Sequence, residues 1–204
     1  MQLKNKILIT IILVLFLPNA EGLNKYYVEL KSESAFKIHG LTNINSFDFT
    51  YFIKNSPVVL CPLVNHTDSL YNITIADFQM PLQSFETDNP QMKQDFLDLV
   101  KEKQYPTMTI SVRNFYILHT NNFNNCVKKK GTAIVAITLG GITKLYSIQF
   151  IINGKDKAFS IEGHQTLNIR DFNLEPPTKF FGLVQVKETI EIDFNLNVLL
   201  VHLA

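Results

Sequence analysis

Along most of the chain apolar residues recur at every second position, the period of a strand with one face in oil and the other in water. The C-terminal end carries it most clearly. There Val184, Val186, Ile190, Ile192, Phe194, Leu196 and Val198 share one face, while Glu191, Asp193, Asn195 and Asn197 share the other. Phe47, Phe49, Tyr51 and Ile53 repeat the pattern against Asp48, Thr50 and Lys54, and Met108, Ile110 and Val112 repeat it against Thr109, Ser111 and Arg113. Shorter runs predict strands over Tyr26–Leu30, Ala35–His39, Thr132–Leu139 and Leu145–Ile152, and from Phe159 through Ile169. Tyr71, Ile73 and Ile75 alternate as well. Their parity slips at Ala76-Asp77, so that Phe78 and Met80 carry the apolar face onward as across a β-bulge.

One stretch has a different period. Met92, Phe96, Leu99 and Val100 fall at i, i+4, i+7 and i+8, which is one stripe of a helix, with Lys93, Gln94, Asp98, Lys101 and Glu102 off it. Asn89 supplies an N-cap oxygen, and Pro90 suits the first helical position because its missing N–H would be orphaned there anyway. Tyr105-Pro106 predicts the stop, since the residue before proline is pushed out of the α region, and the chain then passes directly into the Met108 strand. Gly140-Gly141 and Asn153-Gly154 predict tight turns between strands, and Pro176-Pro177 predicts a break. The polar excursion from His119 to Lys130 ends in Lys128-Lys129-Lys130, which reads as a solvated hairpin tip. Eight to ten antiparallel strands at this spacing predict an all-β sandwich or closed barrel in a single domain. The lone helix then sits at one mouth.

Composition narrows the function more than the fold. The chain has 204 residues, 46% of them hydrophobic, with a formal net charge of +1. That is one ordinary globular domain without the electrostatic footprint of a nucleic-acid binder. Lys4 and Lys6 precede an apolar run from Ile7 to Leu17, and Pro18-Asn19-Ala20 leads to Glu21-Gly22. This is the pattern of a cleavable signal peptide over residues 1–22, with the mature domain at 23–204 in the periplasm or secreted. The run is too short to cross a bilayer comfortably, so no stable membrane insertion is expected after cleavage. Cys61 and Cys126 are the only cysteines. In an oxidising compartment a disulfide between them and a pair of free thiols both stand.

Catalytic patterns are missing. His39, His66, His119, His164 and His202 are spread over different segments with no metal-binding spacing, and there is neither a nucleophile elbow nor a phosphate-binding glycine loop. Arg170 beside Asp171 reads as an ion pair closing the fold. We therefore expect no enzyme, no cofactor and no metal. What remains is an apolar excess of 16 phenylalanines without a tryptophan. Such residues either fill a small barrel or line a cavity within it.

Several segments resemble the YceI-like family of exported, lipocalin-like lipid-binding proteins. Ser34-Ala35-Phe36-Lys37-Ile38 leading into Gly40-Leu41-Thr42-Asn43-Ile44-Asn45-Ser46-Phe47 is similar to the family's first strand and glycine-containing bend. Met92 through Lys103 with Tyr105-Pro106-Thr107-Met108-Thr109-Ile110 is similar to its helix-like segment and proline strand start. Leu139-Gly140-Gly141-Ile142-Thr143-Lys144, Asp171-Phe172-Asn173-Leu174-Glu175-Pro176-Pro177 and Gly182-Leu183-Val184 follow in the same order, covering most of residues 26–198. The 119–130 excursion, the bulky phenylalanines and the two cysteines depart from the pattern. The resemblance implies a lipocalin-like antiparallel β-barrel of about eight strands that holds an isoprenoid-like or other amphiphilic lipid. With the one-sided strands it points to a cavity wall of Phe36, Ile38, Phe47, Phe49, Ile73, Ile75, Met108, Ile110, Ile192, Phe194 and Leu196, joined by Met92, Phe96 and Val100 from the helix. The competing expectation is a filled-core barrel acting as an extracytoplasmic structural, interaction or stress-related protein. Self-association into a homodimer is left open.

Overall fold

The computed structural model describes residues 26–53, 59–60, 65–67, 70–72, 77–117, 128–155, 157–179 and 183–202. Ile73, Ile75, Cys61 and Cys126 lie outside the described residues, as does the parity slip at Ala76. The strands are β1 (Tyr26–Leu30), β2 (Ala35–Thr42), β3 (Ser46–Phe52), β4 (Val59–Leu60), β5 (Asn65–Thr67), β6 (Leu70–Asn72), β7 (Phe78–Pro81), β8 (Thr107–Ile117), β9 (Lys129–Leu139), β10 (Ile142–Lys155), β11 (Ala158–Asn168), β12 (Thr178–Lys179) and β13 (Val184–His202). One helix, α1 (Pro90–Leu99), interrupts them.

Eight strands form the main circuit, in the order β3-β2-β13-β11-β10-β9-β8 with β7 added at the far side of β8, every pair antiparallel. The two ends of this sheet meet where Thr50 and Glu86 exchange backbone hydrogen bonds of 2.8 and 2.7 Å. Among the described residues this bridge is the whole of the ladder at the seam. The sheet is thus a curled half-barrel pinned together at one point, and the all-β, barrel-like expectation holds.

A cross-strand row explains how so long a sheet can bend. Gly131, Phe150, Gly163, Phe194 and Phe36 stand side by side on β9, β10, β11, β13 and β2, all facing inward. A Cβ on Gly163 would lie 2.2 Å from Cζ of Phe194 and 2.8 Å from the Gln149 carbonyl oxygen; one on Gly131 would lie 2.3 Å from Cζ of Phe150. Each ring therefore occupies the space a side chain would have taken. Glycines covered by cross-strand aromatics are a device for sharp curvature in a sheet, because the strand can bend there without exposing its backbone.

Local details follow the sequence in most places. Asn89 Oδ1 accepts from the N–H groups of Gln91 (3.0 Å) and Met92 (3.1 Å), the expected N-cap. The helix ends earlier than Tyr105-Pro106 suggested. Lys101 takes a left-handed φ of 58°, and a turn through Gln104 separates helix from strand. Gly140 and Gly141, with φ of 57° and 81°, make the expected tight turn. Asn153-Gly154 does not turn: both residues stay in β10, paired with Ser160 and Phe159, and the reversal falls between Lys155 and Ala158. Local turn propensity lost there to a ladder already in register. β11 stops at Asn168, whose side chain caps a short 3-10 turn over Ile169–Phe172 instead of extending the strand. β8 carries a bulge between Val112 and Asn114, so that Phe115 keeps to the inner face.

Replacing Gly163 by alanine should destabilise the fold by about 1–3 kcal/mol, because a backbone oxygen as well as a ring blocks the new methyl. Urea unfolding checks this; a change under about 0.5 kcal/mol would contradict the bend mechanism.

Candidate functional site

Inward-facing residues of the circuit divide into two populations. Around the helix the interior is solid. Met80, Leu82 and Phe85 have no exposure, and Phe172, Leu174 and Val100 have almost none. The rings of Phe49 and Phe96 stack with centroids 4.5 Å apart, Phe85 lies 5.7 Å from Phe96, and Tyr51 lies 5.3 Å from Phe85. The Lys93 ammonium donates to the carbonyls of Gln83 and Phe85, which clamps the helix to the segment after β7. Leu97, which the expected stripe omitted, is the most buried residue of α1; Met92, Phe96 and Leu99 pack against the core from its margin.

Farther along the sheet the inward side chains are less completely buried. Ile152 on β10 pairs with Ile161 on β11, and Ile161 with Leu196 on β13. All three are only partly buried, as are Phe115, Phe159 and Phe194 beside them. These side chains sit at the margin of the buried core cluster, packed against it without being fully enclosed.

Of the expected wall, Phe36, Ile38, Phe49, Met108, Val100 and Ile192 are buried core, while Phe47, Met92, Phe96, Ile110, Phe194 and Leu196 are partly exposed. The two groups do not form one surface. Phe49, Phe96 and Val100 belong to the plug, whereas Phe194 and Leu196 border the open part. Ile152, Ile161, Phe159 and Phe115, outside the expected wall, are partly buried beside Phe194 and Leu196, and Ile152, Phe159 and Ile161 sit on the apolar parity of predicted strands. Leu82, Phe85, Phe172 and Leu174 lie in turns, where no periodicity marks them.

The outer face is polar and paired. Lys37 Nζ meets Asp48 Oδ2 at 2.7 Å, His39 Nδ1 meets Asp48 Oδ1 at 2.6 Å, and His164 Nδ1 meets Asp193 Oδ1 at 2.9 Å. Hydrogen bonds from Lys37 and His39 hold the Asp48 carboxyl below the usual carboxylate range, and the same bond to Asp48 pushes the Lys37 ammonium up. An open concavity of about 1190 Å³ crosses this face between Lys37, His164, Asp193, Glu162 and Lys130. Both histidines do stand beside acids. Yet each pair bridges neighbouring strands in water on the outward face, as ordinary cross-strand polar pairs do. Among the described residues no three His, Cys, Asp or Glu side chains converge as a metal site would require.

Arg170 does not pair with Asp171. Its guanidinium donates to Glu188 and Glu175, which raises its pKa, the hydrogen bond to Glu188 contributing most. Asp171 instead accepts from the Tyr146 hydroxyl at 3.2 Å. Burial first, and then that hydrogen bond, push the Tyr146 phenol up to about 12.

The fold is thus a curled antiparallel half-barrel with one filled end, an apolar interior and solvated polar pairs outside. The YceI-like domain family matches residues 63–198, more than half of the chain, and the chain belongs to that family. Among solved structures it is similar to a polyisoprenoid binding domain from Saccharophagus degradans implicated in plant cell wall breakdown. That likeness has 14% identity and a TM-score of 0.60, covering 84% of this chain and 97% of that one. It is similar also to BcnA from Burkholderia cenocepacia, with 14% identity and a TM-score of 0.50, covering 79% of this chain and 95% of that one. At such identities the likeness is one of fold. No curated protein sequence matches the chain.

Truncating the two kinds of inner residue should separate them. Phe96→Ala, inside the plug, is expected to cost about 2–4 kcal/mol in urea unfolding, and Ile161→Ala, on the open row, about 1 kcal/mol or less. Equal costs would mean that both ends are filled alike. Ultraviolet difference titration of the wild type against Tyr146→Phe should show one phenol ionising near 12. Since the folded pKa is the higher one, the stability this phenol contributes is complete below the unfolded pKa of about 10 and is lost as pH rises toward the folded value. Ionisation of Tyr146 near 10 would contradict its burial.

Proposed function

We propose that the protein is a non-enzymatic binder that sequesters or carries an isoprenoid-like or similar amphiphilic lipid outside the cytoplasm. The observation that carries this reading is the partly exposed apolar row Ile152, Ile161 and Leu196 on the inner face, next to a plugged end. Membership of the YceI-like family supports it, and so does the fold shared with a polyisoprenoid binding domain. Each methylene moved from water onto such a wall contributes on the order of 0.8 kcal/mol before ordering costs, so a long chain needs no large polar anchor.

In this reading Phe194 and Leu196 touch the chain, Phe36 backs them from the core, and Met92, Phe96 and Val100 close the floor beneath it. Ile73 and Ile75 are assigned to the wall from their strand pattern alone. Residues 1–22 direct export and are removed, leaving the domain from residue 23 in the periplasm or secreted. No helix among the described residues is long and apolar enough to cross a membrane.

The aromatic stack of Phe49, Phe96 and Phe85 favours a second reading at that end, a filled barrel that works through its surface. Organic extraction of the purified protein followed by mass spectrometry decides between them. Carriage predicts a lipid in near-stoichiometric amount, or uptake of an added polyprenol by emptied protein. Protein that is repeatedly free of lipid and takes up none supports the filled barrel.

A further inference from the structure

The lysine triplet expected at a solvated hairpin tip is not one. Lys129 and Lys130 already belong to β9, and burial alternates across the triplet: Lys128 and Lys130 are exposed, whereas Lys129 retains only 7% exposure. Strand parity gives the reason. Lys129 shares a face with Gly131, Ala133, Val135, Ile137 and Leu139, which is the inner face of the barrel, and Lys130 points outward. Among the described residues Lys129 is the one buried charged side chain; the other buried polar residues are Ser34 and Ser111.

Its place in the register is specific. Lys129 pairs with Ile152, Ile152 with Ile161, and Ile161 with Leu196, so the lysine stands at the head of the partly exposed apolar row. A cation at one end of an apolar track is complementary to a molecule with an anion at one end of an apolar chain. Burial makes the match worth more than it would be in water, because the local dielectric is low and a charge–charge contact is little screened. An ammonium also carries three N–H donors, so contact with one protein group leaves capacity for a head group. Of the acids on the strands of this row, Glu162, Glu191 and Asp193 have outward parity and are exposed, and Glu188 accepts from the Arg170 guanidinium.

We propose that Lys129 receives the anionic head of the bound amphiphile, so that the lumen selects chains ending in a phosphate or carboxylate over neutral ones. This rests on the lumen reading above. Native mass spectrometry with two matched pairs, farnesyl phosphate against farnesol and oleate against oleyl alcohol, tests it. The wild type should prefer the anionic member on the order of tenfold or more, as a charge-assisted contact allows. A preference confined to the first pair identifies a phosphate head, and one confined to the second a carboxylate. Lys129→Met should abolish the preference while keeping the affinity for farnesol and oleyl alcohol, which also shows that the variant is folded. Lys129→Arg and the outward Lys130→Met should retain it. Equal binding of both members of each pair by the wild type overturns the head-group assignment and leaves the lumen reading standing. A preference that survives Lys129→Met overturns it too, whereas failure of all four compounds to bind overturns both.

Discussion

The closure between Thr50 and Glu86 decides what the rest of this sheet can do. Two backbone hydrogen bonds join its ends, each worth on the order of 1 kcal/mol net, so they cannot hold a barrel shut unaided. The aromatic cluster beside them does most of that work. Phe49 and Tyr51 flank Thr50 on β3, Phe85 precedes Glu86, and Phe96 of the helix stacks on Phe49. Seam, helix and turn after β7 therefore form one packed unit. Because the ladder at the seam is so short, curvature elsewhere must come from within the sheet, and the row of glycines under phenylalanine rings supplies it.

This arrangement makes the two regions unequal. At the plugged end inward phenylalanines meet one another. Ile152, Ile161 and Leu196 are aliphatic and only partly buried. Packing is thus complete at one end of the barrel and looser along this row. Much of the phenylalanine excess serves the plug and the bend, and the aliphatic row is where the proposed ligand would lie. The outer ion pairs of Lys37, His39 and Asp48 and of His164 and Asp193 keep the other face of the same strands in water.

Strand existence and facing were legible because a period of two residues is imposed by the pleat itself; β3 and β13 follow their patterns almost residue by residue. Helix α1 was legible for the same kind of reason, with Asn89 and Pro90 marking its start. What could not be read depends on partners distant in sequence. Asn153-Gly154 is a turn by propensity and a strand by register, because β11 and β9 hold β10 on both sides. Leu82, Phe85, Phe172 and Leu174 are core without periodicity, since they enter from turns. The lysine triplet misled because composition suggested a solvated tip where strand parity placed Lys129 inside. Burial of the expected wall followed position along the barrel, which no single strand reveals.

Methyl-resolved NMR during titration with a polyprenol tests most directly whether one part of the interior admits a chain and the other does not. Shifts at Ile152, Ile161 and Leu196 are expected to saturate together, while Leu82, Leu97 and Leu174 stay in place. Equal perturbation of both sets, or shifts confined to outward residues such as Ile151 and Leu145, would contradict this division.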